Sequence, residues 1–231
     1  MKPKPLTPFQ VDLQKYYMIA SGTTSLPWKR KLKLFIFHFG LHCVGVYRLG
    51  QYADRIYRRN KLLGFLPKVI HGLLNLWAEL FHHVSITATD IGPGFYIGHV
   101  GTIYIGPARI GSNFSLGHNV TVGIGFTYGS EGVSTIGNNV YLGIGSVLSG
   151  AISIGNNVTI SAGTMLSRSV PDGCLVAGNP GRITLRDYDN RKLLGASVED
   201  GRVYPALYSE RKGTSEQGSE VVDHGLHTSE T

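Results

Sequence analysis

A six-residue beat constrains this chain more than any other feature. Ile136, Leu142, Leu148, Ile154, Ile160 and Leu166 fall six apart, each followed by a stretch rich in Gly, Asn or Ser. Upstream the beat runs through Ile91, Ile97 and Ile103, takes one extra residue, and continues through Ile110, Leu116 and Val122. The spacing from Val122 to Ile136 is longer than two units, which places a small loop at about residues 128–135. An aliphatic at every sixth residue fits neither a helix nor a half-buried strand; it is the signature of a solenoid. Each unit gives one short strand and a turn, three units close a triangular coil, and the leading aliphatic points inward. Successive coils then pair edge to edge about 4.8 Å apart. The 31 glycines follow from this architecture, because turn corners need positive φ or close backbone approach.

Charge divides the chain. The formal net charge is +7, and residues 1–70 hold 13 Lys and Arg against only Asp12 and Asp54. Residues 71–180 hold Arg109 and Arg168 against Glu79, Asp90, Glu131 and Asp172, so the basic character belongs to the N-terminal region. Cys43 and Cys174 show no framework spacing and read as reduced thiols. The opening MKPKPLTPFQVD lacks the apolar run of a signal peptide, and His38, His42 and Arg48 interrupt the best apolar stretch. These features predict a soluble, cytoplasmic protein.

The N-terminal third reads as an arm over residues 1–27, in part helical between Val11 and Ala20, followed by a helical region over 28–83. Leu34, Phe37, Leu41, Val44, Leu49 and Tyr52 recur at helical spacing from Trp28 to about Asn60, with Gly40 and Gly50 as weak points. A further helix is predicted from about Phe65 to His82, with Pro67 in its first turn and Ile70, Leu73, Leu74, Trp77 and Phe81 on its apolar face. Two roles fit these helices. They cap the open sheet edge at one end of the solenoid. Alternatively the cluster Lys29, Arg30, Lys31 and Lys33, with Arg55, Arg58, Arg59 and Lys61, makes a peripheral membrane contact. Nucleic acid is not expected as a partner, because no binding motif accompanies the charge.

The segment Gly40-Leu41-His42-Cys43-Val44-Gly45-Val46-Tyr47-Arg48-Leu49-Gly50 resembles the helix that precedes the coil in serine O-acetyltransferases. Ile91-Gly-Pro-Gly-Phe-Tyr-Ile-Gly-His99 and the closing Val176-Ala-Gly-Asn-Pro-Gly-Arg182 extend the resemblance over residues 35–183. It implies a mainly β fold: a left-handed parallel β-helix of hexapeptide repeats over 84–182, preceded by the helical region. It also implies a homotrimer that uses acetyl-CoA as co-substrate. The left hand comes from the resemblance alone, since the general crossover rule favours the right.

Two histidines lie in the coil, His99 two residues after Ile97 and His118 two after Leu116. Counting three units per coil stacks them on one outward corner, with Asn138 and Asn156 expected to continue the ladder. A corner histidine is ordinarily a solvated turn residue. Acetyl transfer from a thioester, however, needs a base for the proton of the attacking hydroxyl, and imidazole titrates in the right range. The resemblance implies that His99 is this base; His118, stacked beside it, is expected to be a helper or to contact substrate. Three positions depart from the resembled pattern. Gly98 replaces an acid before the catalytic histidine, Gly132 and Val133 replace a basic pair, and Val84-Ser85-Ile86 carries no acid to orient His99. Asp90 belongs to a different face by the six-residue count. The acceptor is therefore a hydroxyl of either serine or a sugar or glycan precursor.

The groove for coenzyme A needs small residues, which Gly143, Gly145, Ala162 and Gly163 supply; Ala162 and Gly163 match the family's CoA-contacting positions. Turn geometry alone would account for them equally well. Arg168 and Arg182 are candidates for the CoA phosphates, or are ordinary surface charges. A metal hydratase on the same coil would need three zinc histidines, and the coil has two, so no metal is expected. The remaining alternative is a non-catalytic scaffold or sugar-binding module. Beyond Pro171 the beat is expected to stop, with Gly173 to Arg182 forming a closing turn around Asn179-Pro180. The extension 183–231 should add a short helix or strand over the last coil and be disordered from about residue 211.

Overall fold

The computed structural model describes residues 5–88, 90–123 and 132–206. Four helices come first: α1 (Pro8–Ser21), α2 (Trp28–Phe37), α3 (Phe39–Arg59) and α4 (Lys61–His82). α1 begins with a capping box, in which the Thr7 side chain accepts from the Gln10 N–H and the Gln10 side chain answers the Thr7 N–H. It ends at Gly22 in the left-handed region, φ 73°. The expected long helix from Trp28 is in fact two, broken at His38 rather than at a glycine and bent by 88°. α4 starts at Lys61, four residues before the expected start, because the Asn60 side chain accepts from the N–H groups of Leu62 and Leu63. Pro67 consequently sits inside the helix instead of in its first turn.

The coil has three parallel faces. The first holds β1 (Val84–Ile86), β4 (Ile103–Ile105), β7 (Thr121–Gly123), β10 (Val147–Ser149) and β13 (Met165–Leu166). The second holds β2 (Asp90–Ile91), β5 (Ala108–Ile110), β8 (Ser134–Ile136) and β11 (Ser153–Ile154). The third holds β3 (Tyr96–Ile97), β6 (Ser115–Leu116), β9 (Tyr141–Leu142), β12 (Thr159–Ile160) and β14 (Leu175–Ala177). Every aliphatic of the predicted beat is buried, from Ile91 to Leu166, at 5% exposure or less. The architecture is a left-handed parallel β-helix behind an N-terminal helical region. Half of the expected loop at 128–135, residues 128–131, lies outside the described residues; its last members, Ser134 and Thr135, are already in β8.

Two expectations at the C-terminal end need correction. The beat does not stop at Pro171, because β14 pairs in parallel with β12 and adds one more strand to the third face. The chain then turns through Asn179-Pro180, and β15 (Arg182–Leu185) returns antiparallel along β14. After a short helix, α5 (Arg191–Leu194), the hairpin β16 (Ala196–Glu199) and β17 (Arg202–Pro205) does not lie over the last coil. It runs back along a corner of the coil, where Asn190 donates to the carbonyl of Asn139 and Asn113 donates to that of Ala196. There Val198 and Val203 pack with Val11 and Met18 of α1. The predicted disorder from residue 211 lies outside the described residues.

Candidate active site

A solenoid leaves unpaired backbone groups at its first coil, and here side chains from the N-terminal helices meet them. Arg48 donates to the carbonyls of Ile91 (2.6 Å) and Gly92 (2.7 Å). Asp12 pairs with Arg48 at 2.7 Å and accepts from the N–H groups of Gly94 and Phe95, both 2.8 Å. Lys15 donates to the Gly94 carbonyl (2.9 Å) and the Ser115 hydroxyl (2.7 Å). The Tyr16 hydroxyl accepts from the Ile97 N–H and donates to the Ile97 carbonyl. Helix α3 presses on the same strand, for a Cβ added at Gly40 would fall 2.2 Å from the Ile97 oxygen. The helical region therefore caps the open edge, as the first of the two sequence readings expects, and it fixes β3 two residues before His99.

Burial dominates the electrostatics of this plug. It raises the Asp12 pKa, opposed by Arg48 and the two N–H groups. It lowers Lys15 to about 7, opposed by the charge of Asp12. It lifts the Tyr16 phenol well above its usual range, which keeps the hydroxyl proton available to the Ile97 carbonyl.

β3 and β6 register Ile97 opposite Leu116, so His99 and His118 stand one coil apart on one corner, their rings 6.4 Å apart and edge to face. His99 is exposed and His118 half-buried, its Nδ1 enclosed without a hydrogen-bond partner among the described residues. Asp90 lies on the second face, where it accepts from Gln51. Ser85 donates to Glu79. Among the described residues, no three His, Cys, Asp or Glu side chains come close enough to share a metal.

The ladder beneath the histidines differs from the expected one. Asn138 and Asn156 follow Ile136 and Ile154, which lead the second face, and they stack with Ser112 and Asp172 on another corner. The positions two after Leu142, Ile160 and Val176 are Ile144, Ala162 and Gly178. The hydrogen bonds from Gly145 N–H to the His118 carbonyl and from Gly163 N–H to the Ile144 carbonyl tie this corner together. The structure thus lines up His99, His118 and three of the four small residues singled out from the sequence along one edge. Ala162 and Gly163 are exposed, and a Cβ at Gly163 would meet nothing within 4 Å. Gly143 is different: it is buried, and a Cβ there would lie 2.5 Å from the Ala162 nitrogen, so coil stacking demands this glycine. Arg182 pairs in register with Ala177 at the far end of the same corner. Arg168 follows Leu166 on the first face and is not brought to this edge within one chain.

Sequence reasoning missed two neighbours of the site. Ile144, 43% exposed, lies directly below His118. His38, at the α2–α3 break, has its ring 4.9 Å from that of Tyr16 and 5.9 Å from that of Tyr96. Burial, then the nearby His99, depresses its pKa. The six-residue count could have found Ile144; nothing in the pattern marks His38, which reaches the site only because the helix breaks there.

Residues 134–168 match the family model described as bacterial transferase hexapeptide (six repeats). No curated protein sequence matches the chain. Solved structures of similar fold include serine acetyltransferase from Brucella abortus in complex with coenzyme A, at 25% identity and TM-score 0.61, covering 77% of this chain and 66% of that one. Another is serine acetyltransferase from Neisseria gonorrhoeae in complex with serine, at 24% identity and TM-score 0.58, covering 77% and 68%. A third is the soybean apoenzyme, at 23% identity and TM-score 0.57, covering 75% and 66%. Residues 134–168 thus carry the hexapeptide repeat, and the chain shares the fold of solved serine acetyltransferases.

Proposed function

We propose that the protein transfers an acetyl group from acetyl-CoA to a hydroxyl of a small acceptor, with His99 as general base. The observation that carries this reading is the shared corner, on which two stacked histidines continue into an open strip at Gly145, Ala162 and Gly163. His99 takes the hydroxyl proton as the oxygen attacks the thioester carbonyl. The C–S bond then breaks, and the imidazolium returns its proton to the departing thiolate. No acyl-enzyme is required. Small residues let an extended pantetheine approach the backbone, and Ile144 offers it an apolar contact. Arg182 is suited to a CoA phosphate. A neighbouring subunit would wall the slot, so a homotrimer is part of the proposal, and Arg168 would act only from that neighbour.

The brucella and gonococcal relatives, whose structures hold coenzyme A and serine respectively, support the co-substrate and keep serine as an acceptor. Gly98, Gly132 and Val133, where the resembled pattern has charged residues, favour a sugar hydroxyl, with the reaction in the cytoplasm. The test is thiol release from acetyl-CoA over a panel of serine and sugar acceptors. His99→Ala should lower turnover by about 10²–10⁴-fold. Thiol release indifferent to both His99 and His118 would place the base elsewhere, and no release with any acceptor would reverse the assignment in favour of a binding module.

A further inference from the structure

The helical region exposes far more apolar surface than a cap for the coil requires. α2 buries none of its ten residues, and α4 buries only Gly64, Ala78 and His82 of its 22. Trp28 and Phe37 on α2 are 69% and 70% exposed; Leu62, Phe65 and Phe81 on α4 are 85%, 64% and 70% exposed. A helix apolar on most of its surface is ordinarily buried against something. The two helices meet across α3 in an apolar groove of about 440 Å³ lined by Phe35, Leu41, Leu74 and Trp77, so they share one side of the molecule.

Charge identifies the occupant. Residues 28–82 carry ten Lys and Arg against Asp54 and Glu79. Asp54 is paired with Lys68, and Glu79 accepts from Asn75 and Ser85, beside the first coil. Lys29, Arg30, Lys31 and Lys33 therefore flank the aromatic residues of α2 with no acid on the same helix. A second copy of this face would bring like charges together. An anionic bilayer satisfies both halves of the pattern, taking the aromatic and leucine side chains among its acyl chains and the bases among its headgroups. Among the described residues no single helix is long and apolar enough to cross a membrane, and α2 and α3 reach that length and apolarity only together, bent by 88°. We infer that α2 and α4 dock the protein flat on an anionic lipid surface.

The test uses the full chain with vesicles of phosphatidylcholine alone and with one-third phosphatidylglycerol. The only tryptophans, Trp28 and Trp77, both lie on these helices and serve as reporters. Co-sedimentation and a blue shift are expected with the anionic vesicles, weakening as salt rises. Quenching by brominated acyl chains should follow. Lys29→Glu/Arg30→Glu/Lys33→Glu should lower partitioning by about 100-fold or more, taking roughly fivefold per basic residue lost. Phe37→Ser/Phe81→Ser should reduce it at unchanged charge, and neither variant touches a buried position. The inference is overturned if anionic vesicles do not bind the protein, or if both variants bind like the wild type. It is equally overturned if light scattering shows an oligomer, without lipid, in which the tryptophans are shielded from aqueous quencher. Thiol release with a soluble acceptor reads the coil separately from all of these outcomes.

Discussion

The hydroxyl of Tyr16 holds both backbone groups of Ile97, accepting from its N–H at 3.0 Å and donating to its carbonyl at 3.2 Å. One phenol thus stands in for a missing strand at the edge of the third face, two residues before His99. Tyr16→Phe keeps the ring and removes both bonds, leaving buried backbone groups unpaired at a cost of about 1–3 kcal/mol. On the proposed mechanism β3 would loosen, so kcat should fall while the affinity for CoA, bound farther along the coil, holds. Urea denaturation and calorimetric CoA titration read the two effects separately. Unchanged stability would mean that Tyr16 only fills space.

Lys15 gives a pH signature of the same plug. Its folded pKa is about 7, because burial disfavours the ammonium, against 10.5 for the free side chain. Between those values the unfolded chain binds the proton and the folded chain does not, so stability rises with pH across the window. The slope approaches about 1.4 kcal/mol per pH unit for one proton and vanishes below pH 7. Lys15→Met removes it. The difference in unfolding free energy between wild type and variant should therefore grow from pH 7.5 to 9.5; a constant difference would show that the amine is not depressed.

The coil was legible because its signal is covalent in spacing: one inward aliphatic every six residues assigns strand, face and register together. The same count places His99 over His118, and carried one unit further it would have reached Ile144 in place of Asn138. The plug was not legible from apolar periodicity, since Asp12, Lys15 and Tyr16 are polar and their burial is driven by backbone groups some 80 residues away. Their spacing, at i, i+3 and i+4 on one face of a helix, was the available signal. The returning hairpin was hidden for a similar reason, because its apolar side chains pack on α1, far away in the sequence.

Gly40 and Gly72 are both helical glycines with opposite surroundings. A methyl at Gly40 would strike the Ile97 carbonyl at 2.2 Å, and that backbone is held by Tyr16 and cannot yield cheaply. A methyl at Gly72 would meet nothing within 4 Å. Gly40→Ala should destabilise the protein by about 1–3 kcal/mol or more, as overpacking does. Gly72→Ala should stabilise it by about 0.5–1 kcal/mol through helix propensity. Paired urea midpoints decide the matter, and equal effects would refute the close approach of α3 to β3.

Ala162→Arg separates coenzyme binding from base catalysis. Ala162 is exposed on the corner that runs from His99 through His118 and Ile144, and its neighbour Gly163 opens to solvent. An arginine there disturbs no buried contact, so the coil should keep its melting temperature within a few degrees. The side chain would nevertheless fill the strip where the pantetheine arm is proposed to lie, and its charge would displace an apolar contact rather than meet the phosphates near Arg182. CoA affinity should fall at least tenfold. His99→Ala should show the converse, with near-normal CoA affinity and lost turnover, because the imidazole faces the acceptor hydroxyl three coils away from Ala162. The two variants thus predict opposite corners of one table of affinity against rate. Loss of CoA binding in His99→Ala, or full binding in Ala162→Arg, would move the slot off this edge of the coil.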